Sequence, residues 1–315
     1  MCRKSPNKMS PETRIRAAVR LTFLLVNLIL VVKSVSAQEM EPRAYSPAPV
    51  GAKFVAFTFL HQSGDVLLDP SLPVKDVDAK LNAATFAFGG TLGLLGRQTN
   101  LAVLVPYVWG HVTGTVFEDR ATIYRSGNGD IRLRFSTLLK GGRAMGPKEF
   151  AARRPTTIIG TSIQIIGPTG QYDPHRLVNP GSNRWAFKPE IGISKPVGRW
   201  TLESMAGVWL FTANNNFFRG SHRQQRPLAS FQGDVVYTLR RRMWASFNAT
   251  YYTGGRTVVN GNINEDRQKN SRIGATFSYP LTQRQSLKVA WTKGVTTRIG
   301  GDVNTIAFGW QYSWF

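Results

Sequence analysis

Cysteine is almost absent from this chain. The only one in 315 residues is Cys2. Beyond it, disulfides, thiolate zinc sites and cysteine nucleophiles are excluded. Histidine is scarce too: His61, His111, His175 and His222. All four fall at strand ends or in long connections, no two have metal-ligand spacing, and no Gly-x-Ser-x-Gly elbow accompanies them. The sequence therefore predicts no enzyme, no metal and no cofactor. Asp69, Asp76 and Asp78 fall short of a calcium-loop pattern and read as a solvated loop. Acidic residues are few, 18 against 40 Lys and Arg, for a net charge of +22. The basic residues are scattered singly or in short groups such as Arg240-Arg241-Arg242, and no nucleic-acid motif goes with them. Nucleic acid is not the expected partner. Anionic lipid headgroups, lipopolysaccharide or an anion-favouring lumen suit this charge better.

Long hydrophobic runs are also missing. The longest, residues 21–32, is shorter than the roughly twenty residues a spanning helix needs. It follows a basic stretch and precedes Val35-Ser36-Ala37, where small residues suit a signal peptidase. Residues 1–37 are predicted to be a secretory signal cut after Ala37. Its loss leaves a net charge of about +16. Residues 38–50 carry three prolines, Pro42, Pro47 and Pro49, and are expected to form an irregular periplasmic lead-in.

What is abundant is alternation. Ile306, Phe308, Trp310, Tyr312 and Trp314 interleave with Thr305, Ala307, Gly309, Gln311 and Ser313. Successive strand residues face opposite ways, so one face is large and apolar, the other small or polar. About twelve segments of this kind follow one another through 51–315: roughly 52–61, 82–94, 100–112, 129–140, 155–166, 185–195, 200–212, 227–239, 243–253, 272–279, 287–292 and 302–314. Connections alternate between short (96–99, 196–199, 240–242, 280–285) and long (62–81, 113–128, 167–184, 213–226, 254–270), with one exception at 141–154. A sandwich has no reason to sort its loops this way. An outer-membrane barrel does, with short periplasmic turns and long outer loops. The fold class is therefore all-β: a transmembrane antiparallel β-barrel of about twelve strands in the bacterial outer membrane, behind a cleaved signal peptide.

Energy sets the phase. An isolated charge facing lipid costs a few kcal/mol at mid-membrane, so charges point inward. The candidate lumen lining is Arg132, Arg134, Gln164, Lys188 and Glu190, followed by Glu203, Asp234, Asn248, Arg272 and Lys288. Tyr107, Trp109, Tyr237, Tyr251, Tyr279, Tyr312 and Trp314 suit the interfacial girdles. Loop 167–185 holds two turn formers, Pro168-Thr169-Gly170 and Asn179-Pro180-Gly181. Either it is an ordered outer loop, or it folds over the mouth and brings Tyr172, Asp173 and Arg176 to a substrate. Phe315 is a candidate C-terminal signal for the barrel-assembly machinery, but it is one residue out of phase with the apolar set. Either a bulge resets the phase, or Phe315 follows the strand.

Four blocks carry a resemblance: Pro42–Gly51, Ser63–Pro73, Pro168–Trp185 and Gly207–Thr212. On these the chain resembles the transporter family of the MetA pathway of phenol degradation, a group of bacterial outer-membrane barrels. The resemblance implies uptake of small compounds, aromatic ones among them, and since no plug domain of the size used by active iron transporters is present, that uptake is expected to be passive. The alternative is a non-transporting structural or surface-interaction barrel. Expected partners are outer-membrane lipid, lipopolysaccharide, the assembly machinery and a small-molecule substrate.

Overall fold

The computed structural model describes residues 40–67, 74–116, 119–176 and 178–315. The leader with Ala37, and Asp69, lie outside them. Among the described residues, seventeen strands run in chain order: β1 Lys53–Leu67, β2 Val74–Leu94, β3 Arg97–Val116, β4 Asp119–Asn128, β5 Arg132–Lys140, β6 Ile158–Ile166, β7 Ala186–Val197, β8 Trp200–Phe211, β9 Asn214–Phe217, β10 Ser221–Gln225, β11 Leu228–Arg240, β12 Met243–Gly254, β13 Thr257–Val259, β14 Asn262–Ile263, β15 Gln268–Pro280, β16 Gln285–Thr297 and β17 Gly300–Trp314.

Twelve of them close into one antiparallel barrel. Its order is β2-β1-β17-β16-β15-β12-β11-β8-β7-β6-β5-β3, and β3 pairs back onto β2. Closure matters because lipid offers no partner to an unpaired backbone N–H or C=O. The last strand closes on the first from Lys53↔Trp314 through Phe57↔Trp310 to Leu67↔Gly300, with no break in register. Phe315 follows that strand and is 71% exposed, so no bulge resets its phase. Trp310, Tyr312 and Trp314 stack in turn on one face, at 6.5 and 5.7 Å between ring centroids. Trp310 faces outward, so Trp314 does too.

The phase set by charge holds around the wall. Phe86, Ile191, Phe231, Phe247 and Phe308 are exposed on the outside. Arg132, Glu203, Asp234, Asn248 and Arg272 are buried on the inside. Aromatics gather near the ends of the apolar belt. Tyr107 lies 6.0 Å from Trp109, and Trp200 lies 4.6 Å from Tyr237.

Three expectations change. The connections 62–81 and 113–128 are largely strand: β1 continues to Leu67, β2 begins at Val74, and β3 and β4 run to Val116 and from Asp119. Beyond the lipid belt both faces of a hairpin are wet, so the backbone keeps its ladder while the hydropathy alternation that marked the strand fades. β4 and β5 form one stave broken at 129–131: β3 pairs with β5 over Thr99–Leu104 and with β4 over Tyr107–Val116. Pro106 sits at that break, where it has no N–H to give and accepts one from Gly129 at 2.8 Å. The long connections 213–226 and 254–270 are not plain loops either. They supply a second sheet, β14-β13-β10-β9, at the loop end of the barrel. The connection 141–154, at the turn end, carries one short helix, Pro147–Ala151.

The third change is the lead-in. It is irregular, as its prolines require, but residues 40–50 lie inside the barrel rather than outside it. Val50 N–H donates to Met145 O at 2.8 Å at the turn end, and Ala48 N–H to Gln98 Oε1 at 2.9 Å. From there the chain climbs the lumen. Tyr45 is only 2% exposed, packed with Leu138, Ile158 and Met205. Hydrophobic patterning could not show this, because the partner surface exists only once the barrel has closed.

Candidate functional site

Two directly paired residues of the inner wall, Gly160 on β6 and Gly192 on β7, make the slot that admits the Tyr45 ring. A Cβ at either position would overlap that ring. The Tyr45 hydroxyl donates to Glu190 Oε1 at 3.0 Å and lies 3.1 Å from Ser162 Oγ. Glu190 also takes Lys188 Nζ at 2.6 Å and Arg134 Nη2 at 3.5 Å, and Arg134 pairs with Glu41 of the lead-in. One turn of chain away, Arg43 N–H donates to Glu203 Oε2 at 2.6 Å, and Ser194 Oγ donates to Glu203 Oε1 at 2.8 Å. The Arg43 guanidinium lies 5.6 Å from the centre of the Trp244 ring, and Lys288 lies 5.9 Å from the same ring. A buried charge is tolerable only when paired and hydrogen-bonded. Here much of the pairing comes from the lead-in, which acts as a plug keyed to the wall.

The structure brings most of the predicted lumen residues together. Arg134, Lys188, Glu190 and Glu203 surround the plug. Gln164 registers between Arg134 and Lys188 on neighbouring strands. Asp234 and Asn248 form a separate knot, in which Asn248 Nδ2 donates to Asp234 at 2.6 Å and Gln232 Nε2 at 2.9 and 3.0 Å. Arg272 Nη2 donates to Val303 O at 3.0 Å on the opposite arc. Arg132 lines the upper wall. Lys288 points inward yet remains exposed, so the lumen beside it is accessible.

The mouth loop is ordered. Asp130, at the break in the β4–β5 stave, accepts from Gly170 N at 2.9 Å, Ser182 N at 2.8 Å and Ser182 Oγ at 2.5 Å. This clip holds both ends of loop 167–185. Tyr172 reaches the small sheet: its hydroxyl donates to Asn216 O at 3.2 Å and accepts from Asn214 Nδ2 at 3.0 Å. Asp173 and Arg176 pair with each other at 3.0 Å, Arg176 exposed and Asp173 half-buried. The His175 N–H, bonded to the Asp173 carboxylate, holds that group below its ordinary range. Tyr172 is thus tied to the small sheet, and Asp173 and Arg176 to each other.

Sequence reasoning missed the large side chains that face inward: Tyr45, Met205, Trp209, Trp244 and Tyr252. Met205 and Trp209 share the parity of Glu203 on β8, and that parity was a legible signal. Trp209 and Tyr252 pack with Ile166, Ala186 and Leu228 into an apolar cluster high in the lumen, with Phe211 against it.

The family described as "Putative MetA-pathway of phenol degradation" matches residues 59–307. The chain belongs to this family. That span runs from within β1 to within β17, and the plug lies before it. No curated protein sequence matches the chain. Among solved structures, it is similar to an outer membrane channel from Pseudomonas putida F1, with a TM-score of 0.74 and 18% identity over 88% of this chain and 100% of that one. It is also similar to the β domain of the Bordetella autotransporter BrkA, with a TM-score of 0.50 and 13% identity over 84% and 99%. At these identities the likeness is one of fold. The protein is an outer-membrane β-barrel of the MetA-pathway family.

Proposed function

We propose that the protein is a passive channel for small organic compounds, aromatic ones among them, and not an enzyme. The observation that carries this reading is the lumen: a continuous inner wall of polar and charged groups filled by a short segment held without covalent bonds. The similar Pseudomonas putida protein is an outer membrane channel, which supports the same reading. The plug is anchored at its root by the turn-end hydrogen bonds of Ala48 and Val50. Its tip is held by ion pairs and by Tyr45. Exchange of those contacts for water opens a path past Lys188 and Glu190. Transport is then diffusive, along an inner wall that mixes charged groups with the rings of Trp209, Tyr252 and Trp244.

The same plug favours a second reading, a structural or surface barrel whose lumen never opens. Planar-bilayer conductance of the refolded protein, with uptake of small aromatics into loaded liposomes, separates the two. A channel gives discrete conductance steps and faster uptake than empty vesicles. A silent bilayer and no uptake sink the channel reading.

A further inference from the structure

The loop end carries a cluster that neither the lumen wall nor the plug uses. Arg184 stands two residues before β7, and Arg223 lies within β10 of the small sheet. Each guanidinium lies against a ring: Arg184 4.4 Å from the centroid of Phe211, Arg223 5.0 Å from that of Phe217. Gln225 ties the cluster to the barrel. It accepts from Arg184 Nη2 at 2.6 Å and donates to Gly255 O at 3.0 Å. Gln268, the first residue of β15, converges with Gln225 on Gly255.

What remains is a set of donors without acceptors. Arg184 Nη1, Arg223 Nε and Nη2, and Gln268 Nε2 are all sealed from solvent and bond to nothing among the described residues. The two carboxylates whose charge reaches these arginines, Asp130 and Asp266, make their own hydrogen bonds elsewhere. Asp266 receives Thr257 N at 2.7 Å and Thr257 Oγ1 at 2.8 Å, and Asp130 is spent on the loop clip. Burial, and then the charge of Arg223, push the Arg184 guanidinium down to about 9, with Asp130 opposing. Burial likewise lowers Arg223, against the pull of Asp266 and Tyr172. A guanidinium nevertheless keeps its proton under physiological conditions. Two buried positive charges with spare N–H groups are relieved by an anion, since a buried donor left unmet loses its hydration with no bond in return. Phosphate and carboxylate oxygens match a guanidinium fork in geometry.

We propose that Arg184 and Arg223, with Gln268, form an oxyanion site at the loop-end mouth, which takes the carboxylate of a small organic acid or an inorganic phosphate. The site goes beyond the channel reading and does not depend on it, because binding is measured without conduction. The small sheet has a part in this site as well: β10 holds Arg223 between β9 and β13.

The test is calorimetric titration of the folded full chain, in non-ionic detergent at low salt, with sodium benzoate, inorganic phosphate and benzyl alcohol. The expected result is saturable binding of benzoate, phosphate or both, with no binding of the uncharged alcohol. Benzoate alone identifies an organic acid site, and phosphate alone an inorganic one. Arg223→Gln lowers that affinity about tenfold to a hundredfold, the loss of a charge-assisted hydrogen bond. The proposal is overturned if neither anion binds, if benzyl alcohol binds as well as benzoate, or if Arg223→Gln leaves the affinity unchanged. Should that variant fail to fold, the wild-type comparison of the three probes, with and without competing sulfate, still decides.

Discussion

Two missing methyl groups shape the lumen. Gly160 and Gly192 face each other across β6 and β7, and the Tyr45 ring occupies the space that two Cβ atoms would fill. Gly192→Val should therefore leave the ladder intact and evict the ring. The expected outcome is an unchanged far-ultraviolet dichroism spectrum, faster proteolysis within residues 40–50 and larger conductance steps. A milder change separates the hydroxyl from the ring. Tyr45→Phe keeps the packing against Leu138 and Met205 but removes the bonds to Glu190 and Ser162. It should weaken plug docking by about 1–3 kcal/mol, seen as a higher open probability with the same step size. An unchanged open probability would show that the ring alone holds the plug.

Two elements act above the residue scale, the plug and the clipped loop. Deleting residues 40–48 removes Glu41, Arg43 and Tyr45 together while leaving the first barrel pair at Lys53↔Trp314. The truncated protein should refold, because the ladder does not use these residues, and conduct more than the full chain. Arg134, Lys188 and Glu190 then face water instead of the plug, which costs little because water replaces the lost partners. At the other end, Asp130→Ala takes three hydrogen bonds from loop 167–185 at once. Amide exchange at Gly170 and Ser182 should accelerate about tenfold or more, while exchange in β6 and β7 stays slow. Equal acceleration in the strands would mean that the loop and the wall open as one unit.

The whole molecule is a positively biased tube. Arg132, Arg134, Lys188, Arg272 and Lys288 face the lumen against Glu190, Glu203 and Asp234. In a salt gradient the plug-deleted channel should therefore prefer anions. The preference should fall as ionic strength rises, because a Debye length of about 10 Å at 0.1 M shrinks to about 3 Å at 1 M. A cation-selective reversal potential would contradict the charge assignment of the wall.

The barrel itself was legible in the sequence because lipid imposes a simple rule on every strand. Ile306 to Trp314 and Phe247 to Tyr251 alternate since one face must be apolar and the other is not, and a closed ladder is what the membrane allows. Charges such as Glu203 and Asp234 fixed which face is inside, and loop lengths fixed which end is which. The hairpin extensions from Gln62 to Leu67 and from Thr113 to Val116 were not legible, because outside the lipid belt no environment distinguishes their faces. The plug was not legible either. Nothing local in Arg43-Ala44-Tyr45 says that it sits in a slot made by Gly160 and Gly192, more than a hundred residues away in the chain. Nor does any motif announce that Arg184 and Arg223 meet. The sequence determined the wall, since every strand answers separately to lipid. Only the tertiary structure decided what fills the tube and what caps it, since those contacts exist between distant residues once the tube has closed.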